Sequence, residues 1–184
     1  MTGVWTLKAD AMNTMKALLC MLLLAYAAPA TAAIAVPASV EDLARSSDAV
    51  VRGRVTKVSS QWSSDHRRIF TQAEVETSSV WRGSAPTRVT VVVPGGVVGD
   101  IGQRVDGSPT FSQGEEVALF LERAGEGKFG VRGLGQGKFS IAAGQAQPQL
   151  GGFTFAPGPA LRAGERRTEP MGVAELEQRV RAAR

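Results

Sequence analysis

The chain has 184 residues, with 21 Lys and Arg against 17 Asp and Glu, a formal net charge of +4, one histidine and one cysteine. That charge balance is too mild to imply nucleic acid as a partner. A lone cysteine excludes a disulfide framework, and one histidine beside one cysteine excludes the usual zinc ligand sets.

Lys16 precedes an apolar run from Ala17 to Ala27, which Pro29 and then Ala30-Thr31-Ala32 follow. A positive flank, a short apolar centre and a small-x-small exit are the parts of a secretory signal peptide, expected here over residues 1–32. The run is shorter than the roughly 20 apolar residues a membrane span needs, so no stable span is expected after cleavage. The chain therefore reads as extracytoplasmic, in the periplasm or the medium. Cys20 lies inside the apolar centre rather than at its end, unlike a lipoprotein cysteine, and would be lost with the leader. Residues 1–11 lengthen the basic region and carry Asp10, which makes Met12 and Met15 alternative starts.

Residues 33–38 read as an extended leader. Ser39, Glu41 and Asp42 then mark a helix start, with Val40, Leu43 and Ala44 on one face and a stop at Ser46-Ser47-Asp48. Ala49 to Val58 alternates Val51, Gly53, Val55 and Lys57 against Val50, Arg52, Arg54, Thr56 and Val58, a strand with one apolar and one basic face. Ser59 to Arg68 is read as a polar loop holding Trp62 and His66. Ile69 to Trp81 is a second alternating strand, and Thr87 to Val93 a third. A passage rich in glycine (Gly95, Gly96, Gly99, Gly102, Gly107) follows, suited to a backbone that must bend or approach a neighbour closely. After the polar turn Ser112 to Glu116 come strands at Val117 to Leu121, Lys128 to Arg132 and Gly137 to Ala142. Residues 143–169 read as a Gly-, Pro- and Gln-rich connection with one brief strand at Gly152 to Phe155. Pro170 opens a terminal amphipathic helix over residues 170–183, with Val173, Leu176 and Val180 on one face.

Five or six short strands with helices only at the ends predict an all-β fold: a small, OB-like, partly open barrel over residues 33–142. In Ser47 to Val55, Val80-Trp81-Arg82-Gly83 and Gly114 to Leu121 the chain resembles the netrin-like domains of tissue inhibitors of metalloproteinases, which are OB-type barrels. In those inhibitors an N-terminal cysteine chelates the target's zinc. This chain would have no cysteine after cleavage, so the resemblance implies the fold and not the inhibition. The chain also resembles exported bacterial proteins of unknown role that share the PGG…G-x-P-x-F-x-x-G-E-E passage, here Pro94 to Glu116.

The chemical motifs are incomplete. His66 has Asp65, Arg67 and Arg68 around it but no nucleophile elbow elsewhere in the chain, so it reads as a solvated loop residue. Asp100, Asp106, Glu115 and Glu116 lie near glycine-rich loops without the order of a calcium loop. Gly133-x-Gly135-x-Gly137-Lys138 runs from strand to strand, as does Gly95-Gly96, so neither places a phosphate at a helix start. Glu115 and Glu116 are neighbours on a strand and point to opposite faces, unlike a glycosidase pair. Arg52, Arg54, Arg67, Arg68 and Arg88 could form a basic surface.

The expectation is thus an exported, non-catalytic β-barrel module without cofactor, metal or catalytic residue. It would engage a protein partner through a sheet edge or its glycine-rich loops, with Gly95, Gly96, Asp100, Asp106, Glu115, Arg52 and Arg54 as candidate binding residues. The alternatives are a small carboxylate-dependent hydrolase or lyase, and a binder of carbohydrate or envelope polyanion through the Arg52 and Arg54 face.

Overall fold

A computed structural model of the chain describes residues 33–156 and 168–183, so the expected signal peptide lies outside the described residues. A short strand β1 (Ala33–Ala35) leads to helix α1 (Val40–Ser46). Ser39 caps this helix as its sequence suggests: its Oγ accepts from the Asp42 N–H at 3.0 Å and donates to the Asp42 carboxylate at 2.9 Å. Val40, Leu43 and Ala44 are buried.

Strands β2 (Ala49–Trp62), β3 (Ile69–Gly83) and β4 (Arg88–Pro94) form an antiparallel meander. Here two expectations are corrected. The expected loop from Ser59 is strand as far as Trp62; only residues 63–68 turn, closed by the Ser63 N–H donating to the Arg68 carbonyl at 2.7 Å. Exposed Ser59 and Gln61 alternate with half-buried Ser60 and Trp62, so the period of two continues in residues too polar to look like a strand. The second correction concerns Lys57, grouped above with Val51 and Val55. The pairing with β3 shifts register between Val55 and Lys57, a bulge that turns Lys57 to solvent and Val58 against the barrel interior.

A hairpin of β5 (Gly96–Val98) and β6 (Ile101–Gln103) occupies the glycine-rich passage. Then follow β7 (Glu116–Arg123), β8 (Lys128–Val131), a single 3-10 turn (Leu134–Gly137), β9 (Lys138–Ala142) and β10 (Gln145–Pro148). Strand β10 lies in the stretch read above as connection. Ala143 and Gly144, both at positive φ (49° and 75°), fold it back onto β9. Strand β11 (Phe153–Phe155) pairs in parallel with β1, and β12 (Met171–Gly172) precedes helix α2 (Val173–Ala182).

The fold is all-β with two short helices, one near each end of the described chain. Strand β7 pairs with β2 along one edge, from Ala49↔Leu121 to Arg54↔Glu116. Its other edge is divided: residues 116–119 take β9, and residues 121–123 take β8. Because β8 also pairs in parallel with β4, the strands β2–β3–β4–β8–β7 close into a five-stranded barrel, with β9, β10 and β12 continuing outside it. The barrel is closed rather than partly open.

Two cores result. Inside the barrel lie Val51, Val75, Val91, Leu119, Leu121 and Phe129. Outside it, α1 and α2 bring Val40, Leu43, Leu176 and Val180 against Phe120 and Phe139. The unbroken apolar run of β7 follows from this, since Val117, Leu119 and Leu121 face inward while Ala118 and Phe120 face the helices. A two-pronged ion pair from Arg179 to Glu41, at 2.8 and 3.0 Å, ties α2 to α1.

Phe120→Ala should therefore cost about 3–5 kcal/mol in urea unfolding, because a fully buried ring is lost where strand and helices meet. Val92→Ala, on the half-exposed side of β4, should cost under about 1 kcal/mol in the same measurement.

Candidate functional site: a cleft at the barrel mouth

Beyond the β2–β7 pairing, β2, β3 and β4 run on as a three-stranded ribbon, and the chain leaving β4 crosses its face. Gly95 (φ 94°) and Gly96 (φ 139°) make this crossing. A Cβ on Gly96 would collide with Ser60 Oγ and Thr71 Oγ1, so only glycine lets the backbone lie this close. Those two hydroxyls bond each other at 2.9 Å, and Thr71 Oγ1 donates to the Gly95 carbonyl at 2.7 Å. The β5–β6 hairpin is fixed at its base by Gln103, whose Oε1 accepts from the Ile69 N–H at 2.6 Å.

The segment after β6 returns across the mouth. Ser108 Oγ donates to the Pro94 carbonyl at 2.6 Å, and Gln149 holds Thr110 through its N–H and hydroxyl, at 2.6 and 2.9 Å. Phe111 inserts its ring into the end of the barrel core. Between this segment and the ribbon lies a cleft of about 860 Å³, walled by Val58, Val93, Pro94, Val97, Val105 and Phe111. On the hairpin, Val97 and Ile101 are 65% and 56% exposed. The charged side chains of the cleft are Arg104 and Asp106, paired with each other at 3.3 Å.

Of the residues singled out from sequence, Gly95, Gly96 and Asp106 line this cleft together. Asp100 sits in the exposed turn between β5 and β6, outside the lining. Arg52 and Arg54 lie on the outer face of β2, and both meet Glu116: the Arg52 Nε donates to its carboxylate at 2.7 Å, and Arg54 approaches it at 3.8 Å. Arg54 also donates to the Gly114 carbonyl at 2.7 Å. Among the described residues no three His, Cys, Asp or Glu side chains come close enough to hold a metal ion. Gly135 and Gly137 are buried with backbone atoms packed against the place a side chain would take, so that glycine run serves close packing. His66 is exposed and stacks on Trp62 at 6.3 Å.

Glu115 has a buried partner that the sequence did not point to. The Lys138 side chain, 1% exposed, places its Nζ 2.7 Å from Glu115 Oε1 and donates to the Thr110 carbonyl at 2.6 Å. The ammonium also sits 4.9 Å from the centre of the Phe111 ring. Ser140 Oγ donates to the same carboxylate oxygen at 2.5 Å, and the Ser112 N–H to the other at 3.1 Å. Burial pushes the Glu115 carboxyl up, but hydrogen bonds from Lys138 and Ser140 outweigh it and hold the group below its ordinary value. Burial pulls the Lys138 ammonium down. The only sequence trace of this pair was Lys138 and Ser140 on one face of an otherwise apolar strand.

These contacts account for the G-x-P-x-F-x-x-G-E-E passage. Phe111 plugs the barrel, and Gly114 (φ 85°) turns the chain and donates to the Val55 carbonyl at 2.8 Å. Glu115 and Glu116 then point to opposite faces, one inward to Lys138 and the other outward to Arg52.

Lys138→Met should destabilise the chain by about 3–5 kcal/mol in chemical denaturation by leaving Glu115 unpaired. Adding Glu115→Leu to it should recover most of that loss. Because the Glu115 value is depressed in the folded chain, its contribution is complete above the ordinary carboxylate range and lost as pH falls through the folded value. Acid titration of stability should thus be shallower for Glu115→Gln than for the unaltered chain over that window. Comparison with known proteins adds no relative to this picture, since neither a family model nor a curated protein matches the chain.

Proposed function

We propose that the chain is an exported, non-catalytic binding module that holds a segment of a partner protein in the cleft at the barrel mouth. One observation carries the reading. The polar groups around the cleft are largely engaged with one another, while half-buried Val58 and the exposed Val97 and Ile101 offer apolar surface over a floor of buried Val93 and Phe111. A cleft of this size suits a ligand that buries apolar side chains, and exposed apolar residues on its lip are typical of surfaces that meet another molecule. The expectation of export rests on residues 16–32. The five-strand closure, with β8 reached from β4 past β7, supports the OB-like reading, in which the barrel face and its loops are the binding surface.

The two alternatives find less support. A carboxylate hydrolase requires two acids facing one cavity, and Asp106, already paired with Arg104, is the one carboxylate in the cleft lining. A polyanion binder requires uncompensated cations on β2, where Arg52 and Arg54 meet Glu116.

The test is a photo-crosslinking amino acid at position 97 of the chain spanning residues 33–184, with position 175 on the exposed side of α2 as control. Incubated with the envelope and secreted fractions of its source, the protein should give crosslinked protein at 97 and not at 175. Val97→Asp with Ile101→Asp should abolish capture without moving the melting temperature. Equal crosslinking at both positions, or capture untouched by the double variant, would sink the proposal.

A further inference from the structure

Resting on that reading, a second feature of the same site specifies how the partner segment lies. The ladder between β2 and β7 ends at Arg54↔Glu116. The next residue, Val55, has its N–H and carbonyl taken by Glu115 and Gly114, each at 2.8 Å. From Lys57 to Trp62, β2 pairs with β3 on one side, Thr56 being the bulged residue, and from Thr56 onward it pairs with no strand among the described residues on the other. This leaves a free edge about 23 Å long, at about 3.3 Å per residue.

Two bonds fix which backbone groups face outward along it. Ser63 donates to Arg68, and Gly95 donates to the carbonyl of Ile69, the residue opposite Trp62. By the alternation of an antiparallel pair, Lys57, Ser59 and Gln61 therefore bond to β3, while Val58, Ser60 and Trp62 turn their N–H and C=O groups to the free edge. Val58 and Ser60 also line the cleft with their side chains. A strand added here would thus place every second side chain on the cleft side, toward Val93 and Phe111.

Charge narrows the occupant further. At the hairpin end of the edge, Arg67 and Arg68 are exposed, and no carboxylate among the described residues forms an ion pair with either. The nearby Asp65 accepts from Ser63 Oγ and the Arg67 N–H, which with the charge of Arg68 hold its carboxyl below its ordinary value, so a single carboxylate faces two guanidinium groups.

We propose that the free edge of β2, from Thr56 to Trp62, receives an extended segment of a partner protein as an added strand. Its alternate apolar residues fill the cleft, and an acidic residue beyond them meets Arg67 and Arg68.

The experiment selects displayed random ten-residue peptides on the chain spanning residues 33–184 and measures the synthesised winners by fluorescence anisotropy. Winners should carry apolar residues at every second position and Asp or Glu at one end. Methylating the backbone nitrogens at one alternating set of positions should weaken binding about tenfold or more, while methylating the other set should not, because only one set faces the β2 edge. Arg67→Glu with Arg68→Glu should weaken binding about tenfold, the scale of two exposed ion pairs reversed. Equal sensitivity to both methylation sets overturns strand addition, and the cleft reading survives it if Val97→Asp with Ile101→Asp still abolishes binding. Binding indifferent to the Val97 and Ile101 changes, or no enriched peptide at all, overturns both. Concentration-dependent dimerisation abolished by Ser60→Pro would assign the edge to a second copy of the chain and overturn the partner assignment.

Discussion

Strand β7 has its backbone claimed from both sides along most of its length, and its side chains are buried on both faces. It must satisfy β2 on one edge and share the other between β9 and β8, so its register is set by three neighbours at once. A one-residue slip would send Phe120 into the barrel and Leu119 toward the helices, breaking both cores together. The pairing with β8 closes the ring, and the pairing with β9 extends the sheet beneath α1 and α2. What happens at the mouth of the barrel is decided by how the chain enters this strand.

It enters through two adjacent carboxylates that serve opposite sides of the sheet. The outward one, Glu116, meets half-exposed arginines in an arrangement that water screens and that contributes little to stability. The inward one, Glu115, meets a lysine sealed from solvent, with a carbonyl, a hydroxyl and an aromatic ring completing the shell. The return segment is therefore held as a rigid wall by one charged contact and a glutamine clamp. Removing either charge alone would leave its partner stranded, so the ammonium and the carboxylate at this otherwise apolar barrel end depend on each other. The cleft inherits its firmness from that wall, while its own surface stays apolar.

Sequence reading recovered what periodicity encodes. The alternating strands, the Ser39 cap and the one-sided terminal helix were all visible, because burial imposes the spacing of apolar residues directly. The glycine passage was legible as a site of close approach, and Gly95, Gly96 and Asp106 do lie in the cleft. Three features were hidden for physical reasons. The bulge at Thr56 changes phase without changing composition. The end of β2 is polar on a side facing a solvated mouth, so it resembled a loop. The pairing of Lys138 with Glu115 joins residues 23 positions apart that the β7–β9 pairing brings together and no local pattern marks. Glu115, Arg52 and Arg54 drew notice as charged residues in suggestive places, and the structure gives each an internal partner.

The extra residue at Thr56 has a reach beyond its own turn. The bulge absorbs it, so everything in β2 after it keeps the pairing and the facing of a regular strand one residue shorter. Were the strand to run straight through Thr56 without the bulge, Lys57, Ser59 and Gln61 would face the inner wall and Val58 the outside, while the barrel before it kept its packing. A cavity lined by valine would become one lined by an amine, a hydroxyl and an amide. In such a scaffold, what is recognised depends on one backbone irregularity as much as on which side chains the strand carries.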